Sequence, residues 1–224
     1  MTQQPPVAVI VPVFNGARFL AEALDSVLAQ DYRPLEIIVV DDGSTDGSAE
    51  IAATREVLVI RQERRGVATA RNVGIAAATA PILMLIDQDD LWRPGKARKQ
   101  VDVLLAHPDR VCLTLQEFFL DASIAERPVW MRPELMDAPS PGWMPSCIAF
   151  TRSTFEYVGE FDPSYAQGSD SDWFARAKAK GVLFETIEES LVRHRLHDSN
   201  ESGAVSAHRE LLQVVRRAVA QRRK

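Results

Sequence analysis

The chain has 224 residues, 46% hydrophobic and 25% charged, with 11 Gly and 13 Pro, which suits one compact domain and excludes collagen-like, mucin-like and disordered chains. Its 26 basic residues stand against 31 acidic ones for a net charge of −5, and Arg209, Arg216, Arg217, Arg222, Arg223 and Lys224 crowd the C-terminal stretch against Glu210 alone, so the rest of the chain is strongly acidic and a general nucleic-acid binder is excluded. No apolar run approaches the ~20 residues of a membrane span, no leader pattern opens the chain, and Cys112 and Cys147 are too few for a disulfide framework, so the expected setting is a reducing cytoplasm.

Residues 7–11 are an unbroken, β-branched apolar run that Pro12, Asn15 and Gly16 then punctuate, the pattern of a buried strand ending in a turn. Phe19, Leu20, Ala23, Leu24, Val27 and Leu28 repeat at helical spacing, and Pro34 closes that segment. A second strand over residues 36–40 breaks into Asp41-Asp-Gly-Ser-Thr-Asp-Gly-Ser48, with a helix over 48–54 capped by Asp46 or Ser48. Residues 57–60 and 82–86 read as strands around an alanine-rich helix at 67–78. Such alternation predicts a parallel sheet with helices on both faces. Beyond Leu91 a helix is expected over 93–107, a strand over 111–119 and an irregular, proline-rich stretch over 121–143. Short helices follow at 152–158 and 170–180, strands at 182–187 and 191–196, and an amphipathic basic helix at 205–220.

In an open parallel sheet, ligands bind beyond the carboxyl ends of the strands, where the strand order reverses. The polar residues obey this rule: Asn15 follows the first strand, Asp41 and Asp42 the second, and Asp87-Gln-Asp-Asp90 the fourth. Three carboxylates packed into four residues repel one another unless a cation joins them, and Mg²⁺ or Mn²⁺ is the natural guest because such ions take carboxylate, water and phosphate oxygens. Asp90 can equally cap the helix that begins near Pro94. In an extended strand Arg193, Arg195 and His197 share one side, a set suited to a diphosphate and a metal, with His194 on the packing side.

Val7-Ala-Val-Ile-Val-Pro-Val-Phe-Asn-Gly16, the Asp41–Ser48 string, Gly66-Val-Ala-Thr-Ala-Arg-Asn-Val-Gly74 and Leu85-Ile-Asp-Gln-Asp-Asp90 resemble, in order and spacing, the N-terminal signatures of family-2 glycosyltransferases. Val158-Gly-Glu-Phe-Asp162 and Gly168-Ser-Asp-Ser-Asp-Trp-Phe-Ala-Arg176 are similar to that family's acceptor-side region, so the likeness spans residues 7–200. It implies a single α/β GT-A domain. A Rossmann-like nucleotide-sugar half with a mostly parallel sheet covers about 7–91, an acceptor half with a smaller mixed sheet about 92–200, and the C-terminal helix about 204–222.

By the same resemblance Pro12, Phe14, Asn15 and Asp42 line the nucleotide pocket, Asp87 contacts the ribose, and Asp89 ligates the metal, with Asp87 and His197 as further candidates. Arg71 and Asn72 lie near the donor, although Arg71 can instead form a buried salt bridge with Asp87. Arg195 joins the nucleotide-sugar set through the Arg195-Leu-His-Asp-Ser-Asn200 ending. Asp170 matches the general base, with Asp172 as second choice, and Ser169 stands where the family carries Glu, which bears on acceptor recognition. The alternative for Asp170 is helix capping. Trp143 can stack on an acceptor sugar or bury under its loop.

The expected activity is therefore inverting transfer of a sugar from a nucleotide-diphosphate donor to a hydroxyl on a glycan, lipid-linked or small-molecule acceptor, UDP being favoured over GDP or dTDP. The terminal helix suits packing on the body or on a second copy, or contact with the inner face of a membrane. A catalytically degenerate sugar-nucleotide-binding module is the non-enzyme alternative. A haloacid-dehalogenase-type phosphotransferase fits less well, because its nucleophilic Asp ends the first strand. A sugar-nucleotide pyrophosphorylase needs a Gly-rich basic loop where Pro12-Val-Phe-Asn-Gly16 stands.

Overall fold

The computed structural model describes residues 4–200, so the C-terminal helix expected near 205–220 lies outside the described residues. Its core is a sheet whose first half is parallel. Strand β1 (Val7–Val13) is buried at every position and lies between β2 (Leu35–Asp41) and β4 (Ile82–Leu85), with β3 (Leu58–Arg61) outside β2. Continuous burial explains why β1 reads as an unbroken apolar run: both faces are covered. Val7, Val9 and Val11 pack with Leu20, Leu24 and Val27 of α1 (Leu20–Leu28), while Ala8 and Ile10 face Ala70 and Ile75 of α3 (Val67–Ala77). α2 (Ser48–Ala53) completes the first half.

The mixed half continues the same sheet. β8 (Ile148–Thr151) pairs antiparallel with β4 and with β6 (Val111–Leu120), and β9 (Phe184–Leu196) runs parallel to β6. The two-residue strands β5 (Leu91–Trp92) and β7 (Ser140–Pro141) pair with β9 and β6. Helices α4 (Lys96–Ala106), α5 (Glu134–Asp137), α6 (Arg152–Val158) and α7 (Ser169–Ala179) flank this half.

Several expectations are corrected. The strands expected at 182–187 and 191–196 are one strand, β9, whose register against β6 jumps between Thr114 and Gln116. A bulge there absorbs the exposed Glu188 and Glu189 that interrupt the apolar pattern. The helix expected from residue 93 starts at Lys96, because Gly95 sits in the left-handed region at φ +82. At α2 the capping position is Gly47, with Asp46 one residue outside, accepting from the Ser48 amide at 3.1 Å. Strand β8 was not anticipated. Among the described residues no helix is long and apolar enough to cross a membrane, and Cys112 and Cys147 are both buried and unpaired.

Candidate active site

The chain leaves β1, β2 and β4 at their carboxyl ends on the same side of the sheet, on either side of the point where strand order reverses from β1–β2 to β1–β4. A cavity of about 770 Å³ opens there. Pro12, Phe14, Asn15, Asp42, Arg71, Asp87, Asp89, Asp170 and His197, all anticipated from sequence, line it.

The loops holding these residues are tied to one another through their backbones. The Asn15 amide donates to Ser44 Oγ at 2.9 Å and Asn15 Oδ1 accepts from the Thr45 amide at 2.9 Å, so Asn15, at φ +48, fastens the first loop to the second. Gly16 N–H donates to Ser48 Oγ at 2.9 Å. Gln88 grips Phe14 at both ends, its Oε1 accepting from the Phe14 amide at 2.9 Å and its Nε2 donating to the Phe14 carbonyl at 3.2 Å. A β-carbon at Gly16 would fall 2.3 Å from Gln88 Oε1, so a side chain there would push the Gln88 amide off Phe14.

Asp42 is buried and accepts from Gln62 Nε2 at 2.6 Å and from the Arg65 and Gly66 amides at 2.8 Å each, so it holds the loop that opens α3 against the end of β2. The Arg64 guanidinium lies over the Phe14 ring, 3.7 Å from its centre. These groups line one part of the cavity.

The three acids of Asp87-Gln-Asp-Asp90 separate by environment. Asp87 accepts from Arg71 Nη2 at 2.8 Å, which settles Arg71 as the buried partner of Asp87 that also borders the cavity. Asp89 Oδ2 lies 2.9 Å from His197 Nε2. The Ser199 amide donates to His197 Nδ1 at 3.2 Å, which leaves the ring proton on Nε2, directed at Asp89. Asp90 is fully buried, accepts from Ser146 Oγ at 2.5 Å and lies 2.9 Å from His194 Nδ1. It buttresses the loop and does not cap α4. Burial alone would depress His194, but Asp90 outweighs it, aided by Asp89 and Asp87, and the imidazole is pushed up to about 9.

Asp170 enters the cavity from the first turn of α7, and its carboxylate accepts from the Ser171 amide at 2.7 Å. Enclosure by the protein raises its pKa above the ordinary carboxylate range, against the pull of Arg71. The capping position of α7 is Gly168, so Asp170 is not the cap.

Five anticipated residues fall outside the cavity lining. Asn72 spends both ends of its amide on Phe161, donating to its carbonyl at 2.8 Å and accepting from its amide at 3.0 Å, so it joins α3 to the 159–168 segment. Asp172 is paired with Arg176 Nε at 2.7 Å. Trp143 packs on Phe174 and Phe184 beneath the Lys178 ammonium, and Ser169 is fully buried. Arg195 is buried as well, donating to Glu22 at 2.6 Å, Asp121 at 3.1 Å and the Asp89 carbonyl at 3.1 Å, so it fixes the Asp89 backbone.

Sequence reasoning missed Arg18, Arg64, Gln88, Ser146 and His194. Strand alternation placed His194 on the packing face, yet β9 ends at Leu196, so His197 sits in the following turn and both histidines reach the cavity.

The family model of glycosyl transferase family 2 matches residues 8–160. The chain belongs to this family. An uncharacterized glycosyltransferase of Nostoc sp. is 40% identical over 213 residues, covering 87% of this chain and 66% of its own length. One of Rickettsia typhi is 30% identical, covering 88% and 66%. The chain thus spans about two thirds of the length of these relatives. Among solved structures, S. aureus TarS 1–349 in complex with UDP-GlcNAc superposes with a TM-score of 0.77 at 18% identity, covering 96% of this chain and 65% of that one. The mannosyltransferase PcManGT of Pyrobaculum calidifontis, in complex with GDP-Man and Mn²⁺, gives 0.77 at 24% identity, covering 98% and 65%. These likenesses show that the family-2 chain has the fold of those transferases.

Proposed function

We propose that the protein is an inverting, metal-dependent glycosyltransferase that takes its sugar from a nucleotide-diphosphate donor, with UDP favoured. The observation that carries this reading is the convergence, in one cavity of about 770 Å³, of Phe14 and Asp42, the acids Asp87 and Asp89, and the half-buried Asp170. TarS and PcManGT, with the same fold, are described with UDP-GlcNAc and with GDP-Man and Mn²⁺, which supports a sugar nucleotide and a divalent ion here.

The donor set fits such an ion in part. Asp89 would hold it, with His197 as a nitrogen ligand once its ring proton moves to Nδ1, where Ser199 Oγ lies 2.9 Å away. Among the described residues no three His, Cys, Asp or Glu side chains gather as a cluster, so the remaining positions fall to water and the donor's phosphates. When bound, the ion supplies positive charge to the departing diphosphate.

This chain's residues do the rest. Asp170 takes the proton of the acceptor hydroxyl as its oxygen bonds to the anomeric carbon, and the bond from that carbon to the diphosphate oxygen breaks with its electron pair leaving on the nucleotide. A carboxylate raised by enclosure is a stronger base than one in water, as that role requires.

The test is calorimetric titration of UDP, GDP and dTDP with Mn²⁺ and with chelator. Metal-dependent binding of one nucleotide that Asp89→Ala abolishes is expected, together with donor turnover that falls about 10²- to 10⁴-fold in Asp170→Asn at unchanged nucleotide affinity. Absence of nucleotide binding under every condition overturns the reading, and binding without turnover identifies a binding module instead.

A further inference from the structure

Arg18 is a cavity-lining cation that none of the roles above employs. It stands in the loop between β1 and α1 with its side chain 47% exposed, and divides its guanidinium between two carboxylates, Nη2 on Asp121 at 2.5 Å and Nη1 on Asp198 at 3.1 Å. The two anchors are unequal. Asp121 is 12% exposed, accepts from the Ser123 amide and from Arg195 as well, and is held down to about 2, so it stays ionised and in place. Asp198 is 57% exposed in the turn after β9, where an ion pair is weak and readily exchanged.

The position of Arg18 relative to Asp89 follows from shared partners. Arg195 donates to the Asp89 carbonyl and to the same Asp121 carboxylate that holds Arg18. His197, hydrogen-bonded to Asp89, lies 4.5 Å ring to ring from Phe19, the next residue after Arg18. Arg18 therefore lines the cavity beside the network that holds Asp89. The cations near it are already committed, since Arg71 is buried on Asp87 and Arg195 is buried among Glu22, Asp121 and the Asp89 carbonyl. Arg64 lies over the Phe14 ring. Of these four arginines, Arg18 alone combines exposure, proximity to Asp89 and a half-guanidinium held only by an exposed carboxylate.

We propose that Arg18 binds the donor diphosphate, exchanging Asp198 for a phosphate oxygen while Asp121 keeps the other half of the guanidinium. This rests on the donor-site reading given under Proposed function. The chemistry is a charge-assisted, forked contact for which arginine is suited, and the retained Asp121 pair orients the guanidinium in advance. Because the turn carrying Asp198 also contributes His197, Ser199 and Asn200 to the cavity wall, the exchange links donor arrival to that turn.

Two substitutions with opposite expected signs test the assignment. Titrations of UDP, GDP and dTDP, each with Mn²⁺, are compared with titrations of uridine, guanosine and thymidine on wild type, Arg18→Gln and Asp198→Asn. Arg18→Gln should weaken the preferred nucleoside diphosphate about 10- to 100-fold and leave its nucleoside unchanged. Asp198→Asn should tighten the diphosphate about two- to fivefold, since it removes the competing carboxylate. The assignment is overturned if Arg18→Gln binds the diphosphate as wild type does, if it loses nucleoside and diphosphate alike, or if Asp198→Asn weakens binding. Wild type that binds none of the three nucleoside diphosphates sinks the donor-site reading and this assignment together, an outcome distinct from the other three.

Discussion

Lys96 opens α4 with its ammonium fully buried, 2.6 Å from Gln100 Oε1 and 3.9 Å from the centre of the Trp92 ring. Burial without a carboxylate lowers its pKa to about 7, well below the unfolded value near 10.5. Between these two values the unfolded chain binds the proton that the folded chain has released, so Lys96 makes stability rise with pH from about 7 to 10.5. Below pH 7 both states carry the proton and the burial cost is present in full. Lys96→Met keeps the volume and removes the charge, at the expense of leaving Gln100 Oε1 without its donor. A net gain of about 1 kcal/mol is expected near neutral pH. The decisive readout is the difference between the two proteins in denaturant melts at pH 6.5, 8 and 9.5: the advantage of the variant should shrink as pH rises. A constant advantage would mean that the ammonium is not what the fold resists.

Among the elements, α3 shows how a functional motif and a packing motif coincide. Its Arg71 supports Asp87 and its Asn72 holds Phe161, while Gly74 on the inner face lets the helix lie against β1 and β2. A β-carbon at Gly74 would fall 2.6 Å from Ile10 Cγ2 and 3.2 Å from Val40 Cγ2, and both neighbours are fully buried. Gly74→Ala gains about 1 kcal/mol of helix propensity but forces α3 off the sheet, for a net loss of about 1–2 kcal/mol. Thermal denaturation of this variant beside Thr69→Ala, a partly exposed position on the same helix, measures the effect, and an unchanged melting temperature in Gly74→Ala would refute the close approach.

The same elements show what the sequence discloses. Strands β1, β2 and β4 were legible because burial on both faces leaves an apolar run with no competing period, and their carboxyl ends then located Asn15, Asp42, Asp87 and Asp89 in the cavity. Strand β8 was not legible, since four residues after a proline-rich stretch carry no period of their own and are strand only because β4 and β6 flank them. Asn72 and Asp172 sit within matching motifs, yet their side chains serve Phe161 and Arg176, a choice made by tertiary contacts that no local pattern records. Ser146 and Arg18 lie in segments without periodicity, and they join the site through Asp90 and Asp121 from distant parts of the chain.

At the scale of the whole molecule, the cavity is where the two halves of the sheet meet. Its walls come from the loops after β1, β2 and β4, from the first turn of α7 and from the turn after β9, so a donor spanning it touches segments about 180 residues apart in sequence. Arg195 already bridges this gap, joining α1 through Glu22 and the β4–β5 loop through the Asp89 carbonyl. A ligand that binds only when these segments are assembled stabilises the native state by mass action, about 2.7 kcal/mol at a free concentration 100 times Kd. For a chain of this size that corresponds to a rise of about 5–10 °C in melting temperature. UDP with Mn²⁺ should produce such a shift in wild type and lose it in Asp89→Ala. Mn²⁺ alone should move the transition little, because among the described residues no three His, Cys, Asp or Glu side chains gather to hold it, and the donor's phosphates are needed to complete the set around Asp89 and His197. A full shift with Mn²⁺ alone would mean that the protein assembles a complete metal site without the donor, and the division of labour between Asp89 and the diphosphate would have to be abandoned.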